Sequence, residues 1–145
     1  MATNGALDAT FNAAGSPPGT FFKKLQGGSV DLGAGVVRQN SGANAGKLVV
    51  VGSTDVGSQT DVGLVRYTTT GALDATFSGD GKATGDDGLR SDAPSAAAVQ
   101  SDDKIVVVGT SFGTAGAPRA TVMRFSVPSS CTCRFWNASV ARSCG

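Results

Sequence analysis

The groups able to do chemistry in this chain are few and of restricted type. All 11 acidic residues are Asp, and the sequence contains neither His nor Glu. Their absence removes the commonest general bases, the serine and cysteine triads that rely on His, and zinc sites built from His or Glu. Chemistry on Asp, Lys, Tyr or Cys remains open. Asp8 and Asp74 come first, because each is the fourth residue of the same seven-residue string, Gly-Ala-Leu-Asp-Ala-Thr-Phe. Recurrence in an unchanged context marks a structural device used once per repeat. Each Asp is therefore expected to cap a turn or to pair with the recurring Arg66 or Arg124. Ser78-Gly79-Asp80-Gly81 and Gly85-Asp86-Asp87-Gly88 set oxygen donors in Gly-rich loops, but neither has the alternate spacing and closing acid of a calcium loop. Gly79-Asp80-Gly81-Lys82-Ala83-Thr84 lacks the residue order of a phosphate loop. Lys47 and Lys104 each precede an apolar run, which suits an edge or turn lysine better than a base. No catalytic, cofactor-binding or metal-ligating residue is assigned, and no cofactor is expected.

The elements that position these residues are set by an internal repeat. The string from Gly5 to Phe11 returns unchanged from Gly71 to Phe77, 66 residues later. Lys47 to Gly52 is matched by Lys104 to Gly109 at a spacing of 57, and Gly63 to Tyr67 by Thr121 to Phe125 at 58. The drift comes from extra residues in Gly-, Asn-, Ser- and Pro-containing stretches of the first copy, which read as loops. The apolar periodicity is that of short strands. It predicts strands at Thr20 to Leu25, Ala34 to Gln39, Lys47 to Gly52 and Asp61 to Thr68. The second copy predicts Lys82 to Thr84, Ala96 to Gln100, Lys104 to Gly109 and Ala120 to Ser126. Asn44-Ala45-Gly46 and Asp102-Asp103 lead into the strongest strands as turns. The expected fold is all-β: two four-stranded antiparallel meanders resembling β-propeller blades, an incomplete ring, because such a small sheet has two apolar faces that only neighbouring sheets can cover. The units run over residues 4–69 and 70–126, followed by a different segment, 127–145.

Composition agrees with strands and turns, and narrows the partners. Leu, Ile, Val and Phe make up 31 of 145 residues, and the net charge is +1, the balance of a folded but core-poor chain. The basic residues are too scattered for a nucleic-acid footprint. No apolar run approaches the length of a membrane helix, and the amino terminus lacks a secretory pattern. Segment 127–145 holds Cys131, Cys133 and Cys144 and the only Trp, Trp136. Three Cys without His fall short of structural zinc, and one disulfide with a free thiol would need an oxidising compartment. The segment is expected to lie outside the repeat fold, as it would if the reading frame had slipped or the gene had been cut near Phe125.

In order, the motifs are Gly-x-Leu-Asp-x-Thr-Phe, an apolar strand opened by Lys47 or Lys104, and a strand ending at Arg66-Tyr67 or Arg124-Phe125. Together they resemble the delta-60 repeat family over residues 4–126. That resemblance implies a tandem array with a β-propeller fold, found mostly in exported or surface-associated bacterial proteins, with no established biochemical function. Two departures stand out: Ser101-Asp102-Asp103-Lys104 occupies the place of Asp-Gly-Lys, and no third heptad follows Phe125. The expected function is a non-catalytic structural or interaction module that self-associates or is completed by further blades, because two units cannot close a ring. The alternative is a lectin-like propeller assembled from several short chains. Sugar sites stack on Trp or Tyr, and Tyr67 is the only Tyr, which favours the first.

Overall fold

The computed structural model describes residues 5–21, 24–25, 31–88, 91–113 and 117–126. Segment 127–145, with its three cysteines, lies outside them. Seven strands follow one another along the chain: β1 (Asp31–Arg38), β2 (Leu48–Val56), β3 (Gln59–Tyr67), β4 (Lys82–Gly85), β5 (Ser91–Val99), β6 (Ile105–Phe112) and β7 (Arg119–Phe125). The chain is all-β, as its Val content and turn residues require. Among the described residues, seven of the eight expected strands form. The eighth, Thr20 to Leu25, lies partly outside them, at residues 22 and 23, and its described residues, Thr20, Phe21, Lys24 and Leu25, are not in a strand.

β1, β2 and β3 form an antiparallel meander, and β5, β6 and β7 form a second. The β2–β3 hairpin closes on two residues, with Gly57 at φ +66°, the backbone that tight hairpin turns demand. β4 adds antiparallel to the free edge of β3, pairing Val62 with Gly85 through Val65 with Lys82. The sheet unit is therefore out of phase with the sequence repeat: the fourth strand of the first blade comes from beyond the second heptad. The two meanders meet in one hydrogen-bonded pair, Thr60 with Ser91.

Strand alternation places two apolar faces on the first meander. Val49 and Val51 of β2 and Val62 and Leu64 of β3 face the second meander, where they pack with Phe77, Ile105 and Val107. Leu48, Val50, Val65 and Tyr67 line the opposite face, beneath Phe11, Phe21 and Leu25. The amino-terminal segment thus covers part of the face that the second meander does not.

The glycine expected to end each Lys-initiated strand lies inside it instead, Gly52 in β2 and Gly109 in β6, and it has a steric cause. β1 carries a bulge between Gly33 and Gly35 opposite Gly52, and β5 carries one between Pro94 and Ala96 opposite Gly109. A Cβ on Gly52 would overlap the carbonyl oxygen of Leu32, and one on Gly109 that of Ala93. Bulges push a backbone carbonyl toward the neighbouring strand, and only glycine leaves room for it. Gly52→Ala and Gly109→Ala should each cost about 1–3 kcal/mol in urea unfolding. Gly33→Ala, with nothing within 4 Å of its Cβ, should change stability by less than about 0.5 kcal/mol.

Candidate functional site

The second heptad folds into a turn that delivers Asp74 to a buried cation. Asp74 Oδ1 accepts hydrogen bonds from the Thr76 backbone N–H at 3.1 Å and its hydroxyl at 2.7 Å, and Phe77 N–H donates to the Asp74 carbonyl at 3.0 Å. The other carboxylate oxygen, Oδ2, faces Arg66 Nε and Lys47 Nζ, each at 2.8 Å. The heptad is held to the end of β3 by Asp74 N–H donating to the Arg66 carbonyl at 2.9 Å and by the pairing of Tyr67 with Leu73.

Arg66 is fully buried, and every side of its guanidinium is engaged. Nη2 donates to the Thr76 hydroxyl at 2.8 Å and Nη1 to Gln39 Oε1 at 3.4 Å. The group lies over the Phe77 ring, 4.9 Å from its centre. Gln39, itself buried, passes the contact to the second unit by donating its amide to the Asp103 carbonyl at 3.2 Å. A buried arginine with these partners is a joint between repeats. Asp74 keeps its charge there: burial pushes its carboxyl upward, but the hydrogen bonds from Lys47 and Thr76 and the charge of Arg66 outweigh that and hold it at about 2.

Of the two residues singled out for recurrence, the structure therefore gives Asp74 both expected roles, a turn and an arginine partner. Asp8 makes the same turn, with its Oδ1 accepting from the Thr10 N–H at 2.9 Å and hydroxyl at 2.6 Å. It is exposed and has no ion pair among the described residues. Arg124, the counterpart of Arg66, is likewise exposed without one. Lys47 does more than hold an edge, since its ammonium completes the joint, whereas Lys104 pairs at the surface with Asp102 at 2.5 Å. Sequence reasoning missed Gln39, although its recurrence as Gln100, just after a strand in both copies, was the available signal.

A second group joins carboxylates from three places: Asp61 on β3, Asp86 in the loop after β4, and Asp92 on β5, with oxygens within 4.8 Å of one another. Ser111 donates to Asp92 Oδ1 at 2.7 Å, as Thr54 does to Asp31 Oδ1 at 2.5 Å in the first unit. Burial first, then the neighbouring carboxylates, pushes the carboxyls of Asp61 and Asp92 upward. Asp86 belongs to the Gly85–Gly88 loop, which lacks the alternate spacing and closing acid of a calcium loop. On the outer face of the first meander lies a half-open cleft of about 400 Å³, lined by Phe11, Phe21, Leu25, Val50, Val65 and Tyr67, among others. Tyr67 is 8% exposed and meets Phe21 edge to face at 4.7 Å.

Removing one member of a buried pair strands the other. Asp74→Asn should cost about 3–5 kcal/mol in denaturant unfolding, whereas Asp102→Asn, at an exposed pair, should leave the denaturant midpoint nearly unchanged. The folded pKa of Asp74 lies below its ordinary value of 3.8, so its contribution is complete above that value and lost as pH falls through about 2. Between pH 5 and pH 2 the wild type should lose about 2 kcal/mol relative to Asp74→Asn, measured as the difference between their unfolding curves. At the carboxylate cluster the sign reverses, because folding crowds like charges. Asp61→Asn should raise stability at pH 7 by up to about 1 kcal/mol, read as a higher melting temperature; a lower one would mean that the carboxylate serves a needed contact.

Two segments, 46–77 and 100–126, match the family model described as a domain of unknown function (DUF5122), beta-propeller. The first match spans β2, β3 and the second heptad, and so holds Lys47, Arg66, Asp74 and Phe77 together. The second spans β6 and β7 and includes Lys104 and Arg124. No curated protein and no solved structure matches the chain. Over those two segments, the chain is similar to a family of β-propeller repeats.

Proposed function

We propose that this chain is a non-catalytic structural module whose work is to join propeller-type repeats into a larger assembly. The observation that carries this reading is the use made of its buried charges. Arg66 and Asp74 are engaged with each other, with Lys47 and with the ring of Phe77, and all of these contacts bind one repeat to the next. The resemblance of the motifs to delta-60 repeats accords with a tandem array. The absence of His and Glu from the sequence leaves little for acid–base catalysis to use.

The lectin-like alternative has one feature in its favour, the aromatic-lined cleft. Sugar rings stack on open aromatic faces, and Tyr67, at 8% exposure, offers little of one.

In a repeat protein, stability grows with the number of joints. Inserting a third unit, a copy of residues 70–126 placed after residue 126, should raise the melting temperature and the urea midpoint above those of the two-unit chain. A three-unit chain no more stable than the original would overturn the module reading. Selective binding on a glycan array would favour the lectin.

A further inference from the structure

Each part of the joint is present twice in the sequence, and one pair of parts meets in the structure as a closed contact. The anionic part is the heptad, at Gly5–Phe11 and again at Gly71–Phe77; the cationic part is Lys47 with Arg66, and again Lys104 with Arg124. The second heptad is seated on the first cationic part. That leaves one anionic part, the first heptad, and one cationic part, at the end of β7.

Both leftover parts are exposed where their duplicates are buried. Asp74 is buried and Asp8 is exposed, and Arg66 is buried and Arg124 is exposed. The apolar faces differ in the same way. Val51 and Leu64, which face the second meander, are 1% and 0% exposed. Their counterparts Val108 and Val122, on the outward face of the second meander, are 40% and 68% exposed. On the outer face of the first meander, Val36, paired with the cleft residue Val50, is exposed. Ile105 and Val107, the counterparts of the cleft residues Leu48 and Val50, are covered by the first meander. The cleft is thus half of a blade-to-blade interface, and the face with Val108, Val122 and Arg124 is the other half. Among the described residues β7 also ends the sheet, with no outer strand in the place that β4 takes beside β3.

We infer, building on the module reading above, that the occupant of each half is a second copy of this chain, docked head to tail. Asp8 of one copy takes the Arg124 guanidinium and the Lys104 ammonium of the next, as Asp74 takes Arg66 and Lys47. Val108 and Val122 of that next copy cover the cleft under Phe11 and Tyr67. The complementary charges, Asp8 against Arg124 and Lys104, and the two apolar patches sit on one chain, which is what a head-to-tail contact between copies requires. The contact is heterologous, because the two patches differ. Such contacts generate rings when the rotation closes, and two to four copies would supply the four to eight blades usual for propellers.

The test is the mass of the full-length chain by light scattering, with far-UV circular dichroism as the check on folding. The wild type should give an integral multiple of the 14.4 kDa chain. Asp8→Arg and Arg124→Asp, both at exposed positions, should each stay folded and fall to the single-chain mass, because like charges then face one another across the joint. Mixing the two variants in equal amounts should restore the multimer, since the reversed charges are complementary between them. A wild type that is folded and of single-chain mass would overturn the head-to-tail joint, as would a multimer indifferent to both reversals. Neither result bears on the three-unit stability measurement, so the module reading stands or falls separately.

Discussion

The contact between Arg66 and Asp74 organises the molecule because neither group could be where it is without the other. A guanidinium with no solvent exposure has to replace its hydration shell with protein partners, and a carboxylate at 5% exposure has the same need. The chain meets both needs by bringing residues from four places: the end of β1, the start of β2, the end of β3 and the heptad turn. Net stability is not what such a pair supplies, since a well-packed apolar replacement can be as stable. Its effect is on register. A one-residue slip of the heptad would leave two buried charges unmatched, so the alignment of one repeat against the next is held tightly.

The two apolar faces of each meander follow from the same repeat. A three- or four-stranded sheet cannot bury both its faces by itself, and alternation puts valines on each. In the first meander one face is fully covered by the second meander and the other only partly, by Phe11, Phe21 and Leu25. The acidic group of Asp61, Asp86 and Asp92 sits at the place where the two meanders touch through Thr60 and Ser91. Attraction at the Arg66 joint and repulsion at this cluster therefore act on the same pair of units, with opposite sign.

Much of this was legible in the sequence because repetition does some of the work of an alignment. Seven strands, their antiparallel order within each meander and the pairing of the heptad Asp with the Arg that ends a strand could be read from spacing and alternation. Three things could not. Of the expected strand Thr20 to Leu25, the described residues are not in a strand although β1 keeps a free edge among the described residues, and Phe21 and Leu25 instead line the cleft, where the apolar face of the first meander draws them. Gln39 looked like an ordinary strand end, and only the burial of Arg66 gives its amide a task. Asp61 and Asp92 are far apart in sequence and meet because β3 and β5 approach at a single pair, a tertiary event that no local pattern carries.

The phase difference between repeat and sheet has a consequence for how the chain is made. β3 ends at Tyr67, yet the strand that flanks it, β4, ends at Gly85, with the whole heptad between them. During synthesis the first blade must therefore wait, its edge open, until the ribosome has released well into the next repeat. A gene segment duplicated in the frame of the sequence motif copies a connector rather than a blade. Every such duplication arrives already bound to its predecessor, and the array can lengthen without ever containing a free-standing unit.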